Sequence, residues 1–277
     1  MHRIGLEGGV RLEYVVIKCG GSIFSQLPPA FYRNIAELHN KGDVQPVLVH
    51  GGGPLISQTL SRLQVETQFV DGLRVTTEEV LEVAEMVLSG SMNKQLVQNL
   101  QHQGGKGFGL SGVDGGLLRA IQSDNAAIGL VGTVKNVQVS ILHHLIDQGF
   151  IPVISPIAID ENGKKLNINA DVAAAAVAQE LQARLCYISD IPGILVEKNG
   201  ETKVLHETTS SQIEQLIADG TINGGMIPKV RSALQALKNR VPETVILNGL
   251  EPDSLLSFYE GAAVGTKISL TSEVGYV

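Results

Sequence analysis

The chain has no tryptophan, and aromatic residues make up only 4% of its 277 positions. Stacking platforms for nucleobases are therefore not expected. Basic residues are also few: 21 Lys and Arg against 28 Asp and Glu give a formal charge of −7. That balance argues against nucleic acid as the main partner. There are two cysteines, Cys19 and Cys186, both at apolar, strand-like positions, so neither a disulfide framework nor a C-x-x-C pair is available. No apolar run approaches the ~18 residues of a membrane span, and Met1 to Leu12 carries charges and glycines in place of a signal peptide's apolar stretch. Also missing are a His/Cys metal cluster, a G-x-S-x-G elbow and an obvious pair of acid/base carboxylates. These absences point to a reduced, soluble, cytoplasmic protein. Its 43% hydrophobic content is enough for one large or two modest cores.

What is present is a series of glycine-rich strand ends. Tyr14-Val15-Val16-Ile17 reads as a buried strand, followed at once by Lys18, Cys19, Gly20, Gly21 and Ser22. Glycines let backbone N–H groups approach a ligand closely, and the lysine adds a positive charge. The stretch lacks P-loop spacing, so it reads either as a phosphate cradle or as a strand-to-helix turn with a surface lysine. Val47-Leu48-Val49-His50 repeats the design, running into Gly51, Gly52, Gly53 and Pro54 before a helical pattern. The N-terminus of a helix suits an anion. His50 itself reads as a hydrogen-bonded structural residue rather than a catalyst.

Farther on, Gly72-Leu73-Arg74-Val75-Thr76 precedes a long helix expected from Glu78 to about Gln103, with Thr76 or Thr77 as its cap. The planar fork of Arg74 suits a carboxylate, although a surface salt bridge is its alternative fate. Gly107 to Gly112 fits G-x-G-x-x-G, but a turn, Val113-Asp114-Gly115-Gly116, stands where a dinucleotide fold needs a helix. The Asn162-Gly163 and Asn199-Gly200 pairs mark hairpins. Between them, Leu166-Asn167-Ile168-Asn169-Ala170-Asp171 leads into an alanine-rich helix, where Asp171 is open to both capping and chemistry. A further strand ends in Ser189-Asp190-Ile191-Pro192-Gly193, the usual ligand position of α/β proteins. Thr221 to Lys229 forms a glycine-paired loop with a lysine at the start of a helix. The alternation of strands and helices predicts an α/β fold, a mainly parallel sheet with helices on both faces. Lysines, an arginine and glycine loops at strand ends suit phosphoryl transfer, where positioning and charge neutralisation dominate.

Six of these motifs, from Lys18-x-Gly20-Gly21-Ser22 through His50 to Pro54, Gly72 to Thr76, Asn167 to Asp171, Ser189 to Gly193 and Gly224 to Lys229, stand in the order seen in the amino acid kinase family. The resemblance spans residues 14 to about 268. It implies a three-layer αβα sandwich of carbamate kinase-like fold, with the acceptor bound by about 14–180, which also supply the dimer contact, and ATP by about 181–270. It also implies transfer of the γ-phosphoryl of MgATP to the side-chain carboxylate of N-acetyl-L-glutamate, in arginine synthesis. By that resemblance Lys18 and Lys229 stabilise the transferring phosphoryl and Asp171 orients both lysines. Gly20 and Gly21 would contact nucleotide phosphate, and Gly51, Gly52, Gly53, Arg74 and Asn167 the acceptor. Ser189, Asp190, Gly193, Ile194 and Leu195, with Thr221, Ile222 and Asn223, would line the adenine and ribose site. No protein-built metal site is expected, Mg²⁺ being held by ATP phosphates.

An acceptor carboxylate is ionised at neutral pH and needs no general base, which agrees with the missing candidate. The alternatives are sister acceptors (acetylaminoadipate, glutamate, aspartate, carbamate or UMP), or a nucleotide-binding protein without catalysis. Cys19 departs from the family pattern, as do Asn239 to Glu243 and Asn248-Gly249. The family's arginine-inhibited hexamers use an added N-terminal helix, and Gly5, Gly8 and Gly9 disfavour one here, so an arginine-insensitive homodimer is expected. A nitrogen-regulatory partner is left open.

Overall fold

The computed structural model describes residues 13–198 and 200–270. Met1 to Leu12 and Asn199, on which parts of the sequence reading rest, lie outside the described residues. Among the described residues, eight strands form one sheet. Its order is Glu207–Thr209, Thr266–Ser269, Thr244–Asn248, Arg184–Ser189, Glu13–Cys19, Val44–His50, Ile151–Ser155, Gly107–Ser111. Every adjacent pair is parallel except Thr244–Asn248 with Thr266–Ser269, so the first two strands of that order run opposite to the other six.

The central strands are apolar on both faces because helices cover both. Val15, Val16, Ile17, Val47, Leu48 and Val49 have no exposed surface, and each such side chain contributes about 1.5–3 kcal/mol by leaving water. On one side Ala170–Leu181 packs on the Glu13–Cys19 strand and touches Val139–Asp147 and Met226–Lys238. On the other, Pro29–Lys41 packs on Val44–His50 and touches Asn93–His102 and Ser254–Tyr259. The expected three-layer αβα architecture is what forms.

The long helix begins at Glu78, with the Thr77 hydroxyl accepting from the Val80 N–H. It is α-helical over Glu78–Glu85, a π-helix over Met86–Met92, and α-helical again to His102. Four short strands, Leu118–Gln122, Val131–Val137, Ile157–Ile159 and Lys165–Ile168, close into a small barrel beside the sheet. The Asn162-Gly163 hairpin joins two of them through a five-residue loop rather than a two-residue turn, because the Asp160 carboxylate accepts from the Asn162 and Lys164 N–H groups. Glu201–Val204 pairs with Leu195–Lys198 in the second expected hairpin.

Cys19 and Cys186 are fully buried. Burial pushes the Cys19 thiol up to about 12, against the pull of the Lys18 ammonium, and raises that of Cys186 as well. Cys19 is thus a core thiol. Iodoacetamide at about pH 8 should modify neither cysteine in the folded protein and both after unfolding, because thiolate and access are both lacking. Mass spectrometry of the alkylated protein checks this.

Candidate active site

The sheet register brings the functional strand ends to one rim. Cys19 lies beside His50 on one neighbour and Ile188 on the other, and Ser189 lies beside Asn248. Lys18, the Gly51 loop and the Ser189-Asp190 pair therefore share the carboxyl edge of parallel strands, where open α/β sheets bind ligands.

The two glycine loops meet back to back. The Gly51 N–H donates to the Cys19 carbonyl at 3.0 Å. A Cβ on Gly21 would stand 2.8 Å from both Cα and N of Gly52, and one on Gly52 would stand 2.5 Å from Met92 Sδ and 2.6 Å from Leu88 Cδ2. Gly21 is therefore glycine for lack of space, since backbone surrounds it, whereas the atoms closest to Gly52 belong to side chains. The Gly53–Arg62 helix starts here with Pro54 in its first turn and no side chain capping it. Its first N–H groups remain available to an anion.

Lys18 Nζ lies 2.8 Å from Asp171 Oδ1. Asp171 opens the Ala170–Leu181 helix, but the cap is Asn169, whose amide oxygen accepts from the Asp171 and Val172 N–H groups at 2.8 and 3.4 Å. Of the two roles the sequence left open for Asp171, capping has gone to Asn169, and the carboxylate serves the lysine. Lys229 has other anchors. Its ammonium donates to Ser189 Oγ at 2.7 Å and to Asp190 Oδ1 at 3.2 Å, and this contact holds the Asp190 carboxyl below the usual carboxylate range. Asp171, expected to orient both lysines, pairs with Lys18 in this structure, and Lys229 pairs with Ser189 and Asp190. Lys229 rises from the first turn of Met226–Lys238, where Ser189 and Asp190 at the neighbouring strand end meet it.

A cavity of about 210 Å³ opens beside this rim. Gly21, Gly51, Gly52, Gly53, Arg74, Asn167 and Asp171 line it, with an apolar wall of Leu73, Leu88, Val131 and Ile168. Its size suits a metabolite smaller than a drug-sized ligand. Arg74 is buried, not surface-paired. Its Nη2 donates to the Gly53 carbonyl at 3.0 Å and to Ser57 Oγ at 2.8 Å, and the guanidinium lies 4.7 Å from the centre of the Phe69 ring. Its Nη1 is buried without a hydrogen-bond partner. Asn167 Nδ2 donates to Thr76 Oγ1 at 3.1 Å, and that hydroxyl donates to the Arg74 carbonyl at 2.9 Å, so the two cavity side chains are linked.

The expected nucleotide residues are less uniform. Ser189, Asp190 and Lys229 are brought together, and Gly20 lies beside the Lys18 ammonium. Ile194 and Ile222, by contrast, are core side chains at 1% and 2% exposure. The Ile194 N–H is taken by Thr266 Oγ1 and the Ile222 N–H by the Leu216 carbonyl. Leu195 is exposed, Gly193 adopts a φ of +141°, and Asn223 and Thr221 are tied within their own turn to Gly220 and Asp219. The apolar cavity wall was not foreseen. The Phe69–Val70 and Leu73–Arg74 hairpin, with Asp71-Gly72 as its turn, carried the available signal.

The model of the Amino acid kinase family matches residues 13–248. An acetylglutamate kinase of Oceanobacillus iheyensis is 51% identical over 255 residues, covering 92% of this chain and 96% of that one. An acetylglutamate kinase of a Geobacillus species is 48% identical over 263 residues, covering 94% and 98%. Among solved structures, smu.665 from Streptococcus mutans superposes with a TM-score of 0.76 at 29% identity, covering 92% and 98%. A carbamate kinase from Giardia lamblia, at 16% identity and TM-score 0.66 over 95% of this chain and all of that one, shares the fold. With the family model matched across most of its length and relatives at about half identity, the chain belongs to the amino acid kinase family.

Proposed function

We infer that the chain is an acetylglutamate kinase, transferring the γ-phosphoryl of ATP to the side-chain carboxylate of N-acetyl-L-glutamate. The observation that carries this reading is Arg74 on the wall of a small cavity that also reaches Asp171, the partner of Lys18. A guanidinium there is the natural counter-ion for the α-carboxylate of an acceptor. The apolar wall suits the acetyl methyl and the side-chain methylenes, and Asn167 suits the amide. The named relatives are acetylglutamate kinases over nearly the whole length.

In this reading the acceptor carboxylate oxygen attacks the γ-phosphorus. A new O–P bond forms, the bond to the β–γ bridging oxygen breaks, and ADP leaves with that electron pair. The obstacle is repulsion between anions. Lys18 meets it from the strand end, Lys229 from its helix, and the free N–H groups of the glycine loops add partial positive charge. Among the described residues, no group of three or more His, Cys, Asp or Glu side chains could hold a metal ion. In this proposal Mg²⁺ would be held mainly by the ATP phosphates, where it would neutralise their charge. Residues 14–180 bind the acceptor and 181–270 the nucleotide in this proposal. A cytoplasmic homodimer, insensitive to arginine, is carried over on the resemblance alone. Light scattering with and without arginine tests it.

A coupled ADP-release assay with MgATP should select N-acetyl-L-glutamate over glutamate, N-acetyl-aminoadipate, aspartate and UMP. Preference for another acceptor overturns the substrate. Arg74→Ala should raise the KM for N-acetyl-L-glutamate by about 10–100-fold, the weight of a charge-assisted hydrogen bond, and leave the KM for ATP nearly unchanged. An unmoved acceptor KM would remove Arg74 from the site.

A further inference from the structure

His50 ends its strand with no exposed surface, directly before the glycine loop. Its Nε2 lies 3.3 Å from Asn93 Nδ2, and its Nδ1 lies 3.2 Å from the Gly51 carbonyl oxygen. The Asn93 amide is fixed from outside. Its nitrogen faces the carbonyls of Val153 at 2.8 Å and Leu110 at 3.4 Å, which only accept. Its oxygen faces Lys94 Nζ at 3.1 Å, which only donates. Of the two Asn93 N–H groups one goes to Val153 and the other lies between the Leu110 carbonyl and the imidazole. Nε2 thus meets a donor and not an acceptor, and the ring proton sits on Nδ1. The Nδ1–H then donates to the Gly51 carbonyl. Burial, helped by the Lys94 ammonium, pushes the imidazole down to about 4, so the ring stays neutral near pH 7.

The peptide joining Gly51 to Gly52 is trans, and in a trans peptide the C=O and N–H point in opposite directions. A carbonyl drawn inward by His50 turns the Gly52 N–H outward. Two glycines in sequence give this peptide no side-chain support, and it abuts Gly21, the partner loop and the cavity. We propose that His50 is a positioning residue for phosphoryl transfer: its Nδ1–H, set by Asn93, holds the Gly51–Gly52 peptide so that the Gly52 N–H faces the transferring group. The proposal rests on the kinase reading above. It gives the buried histidine a use that neither packing nor proton transfer supplies.

Two measurements on the full chain test it. Long-range ¹H–¹⁵N spectra of wild type should show His50 protonated on Nδ1 alone and unchanged from about pH 5 to 8. An Nε2–H tautomer, or titration in that range, overturns the proposal. In kinetics, His50→Phe should lower kcat by about 10²-fold, the usual loss for one oriented donor, with each KM moved less than about threefold. His50→Asn, whose shorter amide places an N–H near the position of Nδ1, should recover most of that loss. Equal impairment of the two variants, or losses that only follow their melting temperatures, overturns it. Absence of N-acetyl-L-glutamate turnover by wild type in the same assays would count against the kinase reading instead, and the spectra judge the tautomer in either event.

Discussion

Lys18→Ala is expected to lower kcat by about 10²–10³-fold while moving the KM for ATP and acceptor by less than about threefold. Lys18 Nζ is held 2.8 Å from Asp171 at the rim of the sheet, where charge builds up as the phosphoryl moves between two anions. A charge aimed at that point stabilises the transition state more than either ground state, so the loss belongs in kcat. Stability should hardly change. The pair is partly exposed, and ion pairs of that kind contribute at most about 1 kcal/mol. Asp171→Asn should give a smaller drop, because the ammonium remains but loses its anchor. Steady-state kinetics beside thermal denaturation separates these effects. Equal changes in KM and kcat, or a collapse in melting temperature, would deny Lys18 the role.

Much of this site was legible because phosphate chemistry leaves marks in sequence. Lysine next to paired glycines at a strand end, repeated glycines after His50, and Asp190 at a third strand end were each readable locally, and their order gave the family. The sheet was legible for the same reason: Tyr14 to Ile17 and Val47 to Val49 are short apolar runs between turn residues, as parallel strands buried on both faces must be. What could not be read depended on which distant residues meet. Nothing local to Asp171 says that Asn169 will do the capping and free it for Lys18. Nothing near Lys229 says that Ser189 and Asp190, some 40 residues earlier, will hold its ammonium. Ile194 and Ile222 sit in motifs of the expected nucleotide site, yet their side chains finish in the core, because a loop beside a binding site must also be fastened to the fold. The π-helical stretch Met86–Met92 was hidden as well. Its residues keep helical spacing, and nothing local shows that Leu88 and Met92 will stand against Gly52.

That contact bears on the second large effect, at Gly21. Gly21→Ala is expected to cost about 10²-fold in kcat/KM together with about 1–3 kcal/mol of stability. The added methyl would stand 2.8 Å from Cα and N of Gly52 and 3.0 Å from N of Gly53. All three are backbone atoms, so no side chain can rotate away and one loop must move. The loop opposite cannot retreat cheaply, since Gly52 is itself backed by Met92 Sδ and Leu88 Cδ2. A displacement of about 1 Å in a phosphate cradle is enough for a loss of that size. Gly20→Ala supplies the control in the same loop. Its methyl would meet nothing nearer than Lys18 Nζ at 3.9 Å, with Ile23 Cγ2 and Ser22 Oγ at 4.0 Å, so it should fold with wild-type stability. A rise in the ATP KM of Gly20→Ala at unchanged melting temperature would then report nucleotide crowding against that loop. Wild-type kinetics from Gly21→Ala would mean that the two loops are not set against each other as their backbones indicate, and that the rim tolerates movement where a cradle for the transferring phosphoryl does not.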